Sequence, residues 1–153
     1  MEKTNALRQL DRKKLPYRTH TYTGGALPGE EVAAQLGLPP ERVFKTLVTA
    51  GKSGYYVFMI PVAATLNLKK AAAVVGEKSL SMLPQKELLP LTGYVHGGCS
   101  PIGMKKQFPT VLHQTALNCE TICFSAGKIG LQIEAAPDTL MSVVALRTAD
   151  VID

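Results

Sequence analysis

Glycine and proline occur at short intervals along this chain, and their spacing is the feature that most restricts its fold, because it keeps helices and strands short. The 153 residues include 13 glycines and 10 prolines, which separate short apolar segments. The patterns predict strands over 17–22, 43–50, 55–61, 79–82, 110–113, 121–125, 130–134 and 145–151, and helices over 5–15, 30–36, 68–75, 84–91 and 137–144. The order shows no regular βαβ rhythm, and 121–134 has the form of a hairpin. We therefore predict an α/β chain with a mixed sheet and flanking helices.

Length and composition predict a single domain spanning residues 1–153. Hydrophobic residues make up 46% and charged residues 19% of the chain, which is ordinary for a globular protein and excludes intrinsic disorder. No segment approaches the ~20 apolar residues that a membrane helix requires. The first residues lack the apolar core of a signal peptide. We therefore expect a cytoplasmic protein without a membrane partner.

Positive charge is concentrated near the N-terminus. The net charge is +5, and residues 1–18 contain six lysines and arginines against two acids. Further basic pairs occur at Lys69-Lys70 and Lys105-Lys106. This distribution suits a polyanion such as RNA, which binds mainly through its phosphates. A solvated basic surface without such a partner explains the charge equally well.

The cysteines indicate neither a disulfide framework nor a cofactor. Their number is three, which is odd and small. A zinc site is the alternative, because His96 and Cys99 are three residues apart and Cys119 and Cys123 four. The second pair falls on a predicted strand, where four residues span ~13 Å, far more than two ligands of one zinc ion allow. We expect neither a metal nor another cofactor.

A glycine-rich segment, residues 93–103, is the strongest functional candidate. It contains Gly93, the pair Gly97-Gly98, and Gly103, with Ser100-Pro101 between them. Glycines leave backbone N–H groups unshielded, so such a loop can present them to an anion or a carbonyl oxygen. A tight turn without a ligand is the alternative.

Lys45 lies in the apolar strand segment 43–48, where an unpaired ammonium is costly to bury. It either extends to solvent or faces a cleft that binds an anion or a carbonyl group. Thr46 adds a hydroxyl, and the turn 125–130 adds a second set of backbone donors. The chain has no G-x-S-x-G or H-E-x-x-H motif, and no base is evident that would activate Cys99 as a nucleophile.

These segments together resemble the YbaK/EbsC family of bacterial Cys-tRNA(Pro) deacylases, relatives of the editing domain of bacterial prolyl-tRNA synthetases. The resemblance rests on four motifs in register, from about His20 to the C-terminus: Phe44-Lys45-Thr46-Leu47, Asn67-Leu68-Lys69-Lys70, the run from Thr92 to Gly103, and Ser125-Ala126-Gly127-Lys128 followed by Gly130 to Glu134. It implies a curved mixed sheet or partial barrel, and hydrolysis of an aminoacyl ester on tRNA.

The resemblance also implies a set of site residues. The catalytic candidates are Lys45, Gly98 and Ser100, and the substrate-binding candidates are Tyr22, Thr46, Gly97, Cys99, Gly103, Ser125, Gly127 and Asp138. Two positions depart from the family pattern: Cys99 stands where relatives have an aliphatic residue, and Asp138 lies one position before the usual acid.

The implied partners are tRNA(Pro) charged with cysteine and prolyl-tRNA synthetase. In this family the substrate thiol has been proposed to attack the ester, which would explain the absence of a catalytic triad. The alternatives are a deacylase for another mischarged tRNA, such as Ala-tRNA(Pro), and a non-catalytic module that binds tRNA or the synthetase.

Overall fold

A computed structural model describes residues 3–153, which contain eight strands and five α-helices. The strands are β1 (Arg18–Thr21), β2 (Phe44–Ala50), β3 (Tyr55–Pro61), β4 (Ser81–Met82), β5 (Thr110–His113), β6 (Ile122–Lys128), β7 (Leu131–Ala135) and β8 (Leu146–Ala149). The helices are α1 (Asn5–Arg12), α2 (Gly29–Leu36), α3 (Leu68–Val75), α4 (Gln85–Thr92) and α5 (Pro137–Met141), with short 3₁₀ turns at Pro40–Arg42 and Gln114–Asn118.

The strands form two sheets. A three-stranded antiparallel sheet has the order β1-β7-β6, and a five-stranded mixed sheet has the order β4-β2-β3-β5-β8. In the larger sheet β2 is antiparallel to β3 and β4, whereas β5 is parallel to β3 and β8. An isolated bridge between Val43 and Cys123 links the sheets, and they do not close into a barrel over residues 3–153. The predicted mixed sheet with flanking helices is confirmed, but its division into two sheets was not predicted.

Local capping explains why the short helices begin and end where they do. The Thr4 hydroxyl accepts a hydrogen bond from Leu7 N–H, and the Asn67 side chain accepts one from Lys70 N–H. Helix α4 ends at Gly93, whose φ of 86° is costly for other residues. The structure corrects predicted helix boundaries: α1 ends at Arg12, Pro84 is the N-cap of α4 rather than its first residue, and α5 ends at Met141.

The main core lies between the two sheets. Alternate residues of β6 and β7 enter it, together with residues from α1, β2, β3 and β5; the fully buried members include Leu7, Leu10, Phe44, Met59, Leu112, Ile122, Phe124 and Ile133. Burying each such side chain stabilises the fold by about 1.5–3 kcal/mol. Because side chains alternate along a strand, Cys123, Ser125, Gln132 and Glu134 face away from this core. That opposite face carries most of the polar groups described below.

Over residues 3–153, no helix is long and apolar enough to cross a membrane.

Candidate functional site

A cavity of about 230 Å³ lies where β2, the start of α2, the glycine loop (residues 93–103) and the polar face of the three-stranded sheet converge. We call it the central cavity. Six of the predicted site residues line it: Tyr22, Lys45, Thr46, Gly97, Cys99 and Ser125. Its apolar walls include Leu27, Val32, Val43, Val62 and Leu88. Residues far apart in the sequence thus form one pocket of mixed character, which is the usual composition of a ligand site.

Strand β2 brings Lys45 and Thr46 to the central cavity. Lys45 pairs with Ile60 and Thr46 with Met59 in the β2–β3 ladder. The Lys45 side chain is half-buried, and no carboxylate in residues 3–153 lies within ion-pair distance of its ammonium. The Thr46 hydroxyl is buried and has no hydrogen-bond partner among these residues. The strand therefore offers the cavity one cation and one unpaired hydroxyl.

The three-stranded sheet contributes Ser125 and Gln132, which lie opposite each other in the β6–β7 ladder, and Tyr22, which follows β1. All three are buried, and all three line the central cavity. The Ser125 hydroxyl accepts a hydrogen bond of 3.1 Å from Gly127 N–H. Gln132 Oε1 has no partner within residues 3–153. A buried polar atom without a partner lowers the stability of the fold by about 1–3 kcal/mol. Gln132 and Thr46 therefore each have a polar atom that a ligand could bind favourably.

The glycine loop contributes Gly97 and Cys99. Gly97 has a φ of 85°, and a Cβ there would lie 2.9 Å from that of Ala26. The N–H groups of Gly97 and Cys99 have no acceptor within the described residues. Burial raises the pKa of the Cys99 thiol to about 12, which keeps it protonated near neutral pH. This loop therefore presents backbone donors, and Cys99 is poorly suited to act as a nucleophile.

The structure places Gly98 and Ser100 outside the lining of the central cavity. The N–H of Gly98 donates to Val95 O at 2.9 Å, and the hydroxyl of Ser100 accepts from Ile102 N–H at 3.2 Å. A Cβ on Gly98 would lie 2.9 Å from the backbone nitrogen of Ile129. The N–H of Gly98 is thus used within the loop, the Ser100 hydroxyl accepts one hydrogen bond there, and neither residue lines the central cavity.

Gly103 and Gly127 also lie outside the cavity lining, and both are close to the Tyr94 side chain. A Cβ on Gly103 would lie 2.8 Å from the Tyr94 hydroxyl, and one on Gly127 would lie 2.7 Å from its ring. The hydroxyl of Tyr94 donates to Ile102 O at 2.6 Å. These two glycines therefore allow Tyr94 to hold the glycine loop against the hairpin.

Asp138 is not part of the central cavity. It lies in the first turn of α5, and its backbone oxygen accepts hydrogen bonds from Ser142. Its carboxylate is exposed. The predicted substrate-binding role of Asp138 finds no support in this position.

Two polar residues of the cavity were missed by the sequence analysis. His96 lies in the glycine loop, and its side chain is exposed at the cavity. Gln132 is an amide within the buried strand segment Leu131–Ala135. A polar residue in an apolar strand is a signal of the kind that singled out Lys45, and the same reasoning could have identified Gln132.

A larger groove of about 730 Å³ runs along the other end of the three-stranded sheet. Some of its polar residues are paired with one another: Thr121 donates to Glu134 at 2.7 Å, and Arg42 donates to Thr121. The Thr121 hydrogen bond, followed by that of His20, holds the pKa of Glu134 below its usual range. Thr121 and Glu134 are therefore less available to a ligand than Thr46 and Gln132 of the central cavity, whose buried oxygens have no partner within residues 3–153.

Within residues 3–153, the group best suited to hold a metal is His20, Cys123 and Glu134, whose potential ligand atoms lie within 4.8 Å of one another. Glu134 is hydrogen-bonded to His20 at 2.6 Å, and Arg42 lies 3.4 Å from its other oxygen. The guanidinium charge opposes a further cation. Burial raises the pKa of the Cys123 thiol to about 12, which disfavours the thiolate. This cluster is therefore stable as a hydrogen-bonded network.

The central cavity can position an ester. Backbone N–H groups and an ammonium at one carbonyl oxygen would stabilise the negative charge that develops during acyl transfer. No serine–histidine pair lies in hydrogen-bond contact within the described residues. The arrangement therefore favours chemistry that depends on positioning and charge stabilisation.

Comparisons with known proteins identify the family of the chain. The profile of the family described as "Aminoacyl-tRNA editing domain" matches residues 26–143. A protein of Enterococcus faecalis, named as a candidate Cys-tRNA(Pro)/Cys-tRNA(Cys) deacylase, EbsC, is 46% identical over 98% of this chain and 93% of its own length. The proline–tRNA ligase of Thermosipho africanus is 33% identical over 56% of this chain, a match that covers 15% of the ligase.

A solved structure described as a candidate trans-editing enzyme for prolyl-tRNA synthetase has the same fold. It superposes with a TM-score of 0.88 and 24% identity, covering all of this chain and 99% of that one. The chain therefore belongs to the aminoacyl-tRNA editing domain family.

Proposed function

We propose that this protein is an aminoacyl-tRNA deacylase that hydrolyses the ester of tRNA(Pro) mischarged with cysteine. The observation that carries the proposal is the meeting of Lys45 with the unpaired N–H groups of Gly97 and Cys99 at one cavity. The name of the 46% identical Enterococcus protein supports the same substrate class.

The size of the central cavity favours a single small amino acid. Its 230 Å³ is below the ~300–1,000 Å³ of pockets for drug-sized ligands. The aminoacyl group would enter with its side chain toward the apolar wall. The tRNA 3′ end would remain near Lys45, whose ammonium suits a phosphate or the ester carbonyl.

The reaction requires a nucleophile to attack the ester carbonyl carbon while its oxygen becomes negative. In our proposal the N–H groups of Gly97 and Cys99, together with Lys45, stabilise that oxygen. Attack by water releases cysteine and tRNA. Attack by the substrate thiol forms a C–S bond and breaks the ester C–O bond, and the thiol proton passes to the departing ribose oxygen.

Prolyl-tRNA synthetase is the proposed protein partner. Proline–tRNA ligases contain a segment similar to this chain. A deacylase whose pocket binds only the aminoacyl end would need the synthetase to select tRNA(Pro) from other tRNAs. Small side chains differ by only ~1–3 kcal/mol in such a pocket, so selection of the tRNA by a partner would add specificity.

A deacylation panel tests the proposal. Cys-tRNA(Pro), Ala-tRNA(Pro), Cys-tRNA(Cys) and Pro-tRNA(Pro) are incubated with the protein, with and without the synthetase. We expect Cys-tRNA(Pro) to lose its amino acid much faster than in buffer, and the synthetase to increase the preference for tRNA(Pro). Preferred cleavage of Ala-tRNA(Pro) would identify alanine, rather than cysteine, as the amino acid that the protein removes. Salt-dependent tRNA binding without cleavage would refute the deacylase proposal and support a non-catalytic tRNA-binding module.

A further inference from the structure

We propose that Gln132, together with Thr46, binds the α-amino group of the aminoacyl ester. The inference rests on the proposed deacylase function and identifies the part of the substrate that these two residues recognise. It starts from the two unpaired oxygen atoms of the central cavity, Gln132 Oε1 and Thr46 Oγ1.

The polar neighbours of Gln132 form no hydrogen bond with its side-chain oxygen within residues 3–153. Gln132 pairs with Ser125 on one side of β7 and with His20 on the other. The Ser125 hydroxyl accepts from Gly127 N–H, and His20 Nε2 is bonded to Glu134 at 2.6 Å. Gln132 is only 6% exposed, and it lines the central cavity. A ligand in this cavity can supply a donor to its side-chain oxygen.

Thr46 reaches the same cavity from the other sheet. Its partner in the ladder is Met59, which offers its hydroxyl no strong hydrogen bond. A threonine on a strand between Lys45 and Leu47 is thus as unsatisfied as Gln132, although it comes from a different element.

Gln132 Oε1 can only accept, and the Thr46 hydroxyl can accept or donate, so a ligand group with two or more N–H bonds can satisfy both oxygen atoms at once. An α-amino group has two N–H bonds when neutral and three when protonated, whereas a cysteine thiol offers one weak donor. The terminal torsion of glutamine is soft, so the carboxamide can turn its oxygen toward an entering amine. The Lys45 ammonium would then act on the carbonyl side of the ester, and Gln132 and Thr46 on the amino side.

Substrate analogues separate the amino group from the thiol. Three esters of a tRNA acceptor-stem minihelix are compared. The cysteinyl ester carries both groups, the alanyl ester lacks the thiol, and the 3-mercaptopropionyl ester lacks the α-amino group. For Gln132→Leu we expect kcat/KM to fall at least tenfold for the cysteinyl and alanyl esters. For the 3-mercaptopropionyl ester it should stay within about twofold of wild type. The thermal midpoint should not fall, because the substitution removes an unpaired buried amide.

Other outcomes overturn the assignment. A loss for the cysteinyl and 3-mercaptopropionyl esters, with the alanyl ester unaffected, would assign Gln132 to the thiol. An equal loss for all three, with a lower thermal midpoint, would make it structural. Gln114→Leu, at an exposed glutamine outside the cavity, should leave all three rates unchanged. Thr46→Val keeps the shape of the side chain and is tested with the same three esters. If Gln132→Leu does not fold, the result for Thr46→Val decides whether the α-amino group is recognised here.

A binding experiment distinguishes failure of this inference from failure of the proposed function. Affinity is measured by calorimetry for an adenosine that carries cysteine through a stable amide, and for its counterpart without the α-amino group. If wild type cleaves no ester, the deacylase proposal fails; a preference for the amino form that Gln132→Leu abolishes would still support the assignment. Equal affinity for both forms would refute it.

Discussion

Lys45 combines partial burial with the absence of a carboxylate partner in residues 3–153. A lysine that served only stability would be expected to pair with an acid or to extend fully into water. Lys45 lines the same cavity as Gly97 and Cys99, whose N–H groups have no acceptor within residues 3–153, and this suits a role in stabilising a negative oxygen.

We expect Lys45→Met to lower kcat/KM for Cys-tRNA(Pro) by about 10²-fold or more, because loss of one donor to an oxyanion has effects of this size. The thermal midpoint should stay close to that of wild type, since no ion pair is lost. The measurement is a deacylation time course combined with a melting curve.

The matched control for Lys45 is Lys52→Met, at an exposed lysine in the β2–β3 turn. This control should retain wild-type activity. If Lys45→Met turned over within twofold of wild type, Lys45 would have no place in the mechanism.

Lys45 and Thr46 could be singled out from the sequence because polar groups in an apolar strand are costly to bury. The hydrogen bonds of Gly98 and Ser100 within the glycine loop could not be predicted in this way. Which donor of a turn remains free depends on its exact hydrogen bonds, and composition does not determine these.

Among the elements, the glycine loop depends on one side chain for its position. Tyr94 is buried, and its hydroxyl donates to Ile102 O at 2.6 Å. Burial raises the pKa of Tyr94 to about 12, so the phenol remains a donor throughout the neutral range. The ring fills the space that Gly103 and Gly127 leave open.

Tyr94→Phe should lower the free energy of unfolding by about 1–3 kcal/mol, because the buried carbonyl of Ile102 loses its partner. For a chain of this size, each kcal/mol corresponds to about 2–4 °C in the thermal midpoint. We expect kcat/KM to fall with it, since the loop also positions Gly97 and Cys99. Thermal melts and deacylation assays provide the two measurements.

Tyr56→Phe is the control, because Tyr56 donates to Glu77 at 2.6 Å in a partly exposed position. It should have a smaller effect on stability and none on activity. An equal effect of the two substitutions on both readouts would contradict a special role of Tyr94 in holding the loop.

The short elements were predictable because glycine, proline and capping residues mark their boundaries, as at Thr4, Asn67 and Gly93. The pairing of the strands into two sheets was not. The face of β6 and β7 that carries Ser125 and Gln132 becomes a cavity wall only through contact with β2, and this long-range arrangement leaves no mark in local periodicity.

For the whole molecule, acid stability is set by groups in different parts of the fold. His113 is buried in the five-stranded sheet, where its Nδ1 accepts from Val151 N–H at 3.2 Å. Burial lowers the pKa of His113. The unfolded chain therefore binds a proton below pH ~6.5 that the folded protein resists, and stability falls as pH decreases through this window.

The lowered pKa of Glu134 acts in a separate, more acidic window. Its contribution is present above the unfolded value of ~4.3 and is lost as pH falls through the folded pKa. Measurements above pH 5.5 therefore lie outside the window in which Glu134 titrates.

We expect the thermal midpoint of wild type to decrease between pH 7.5 and 5.5, and His113→Asn to flatten this decrease. The asparagine oxygen can still accept from Val151 N–H, but the side chain does not titrate. His96→Asn, at an exposed histidine, should keep the wild-type slope. If His113→Asn followed wild type across this range, the pH dependence would have to arise from groups other than His113, and its burial would not control folding at mildly acid pH.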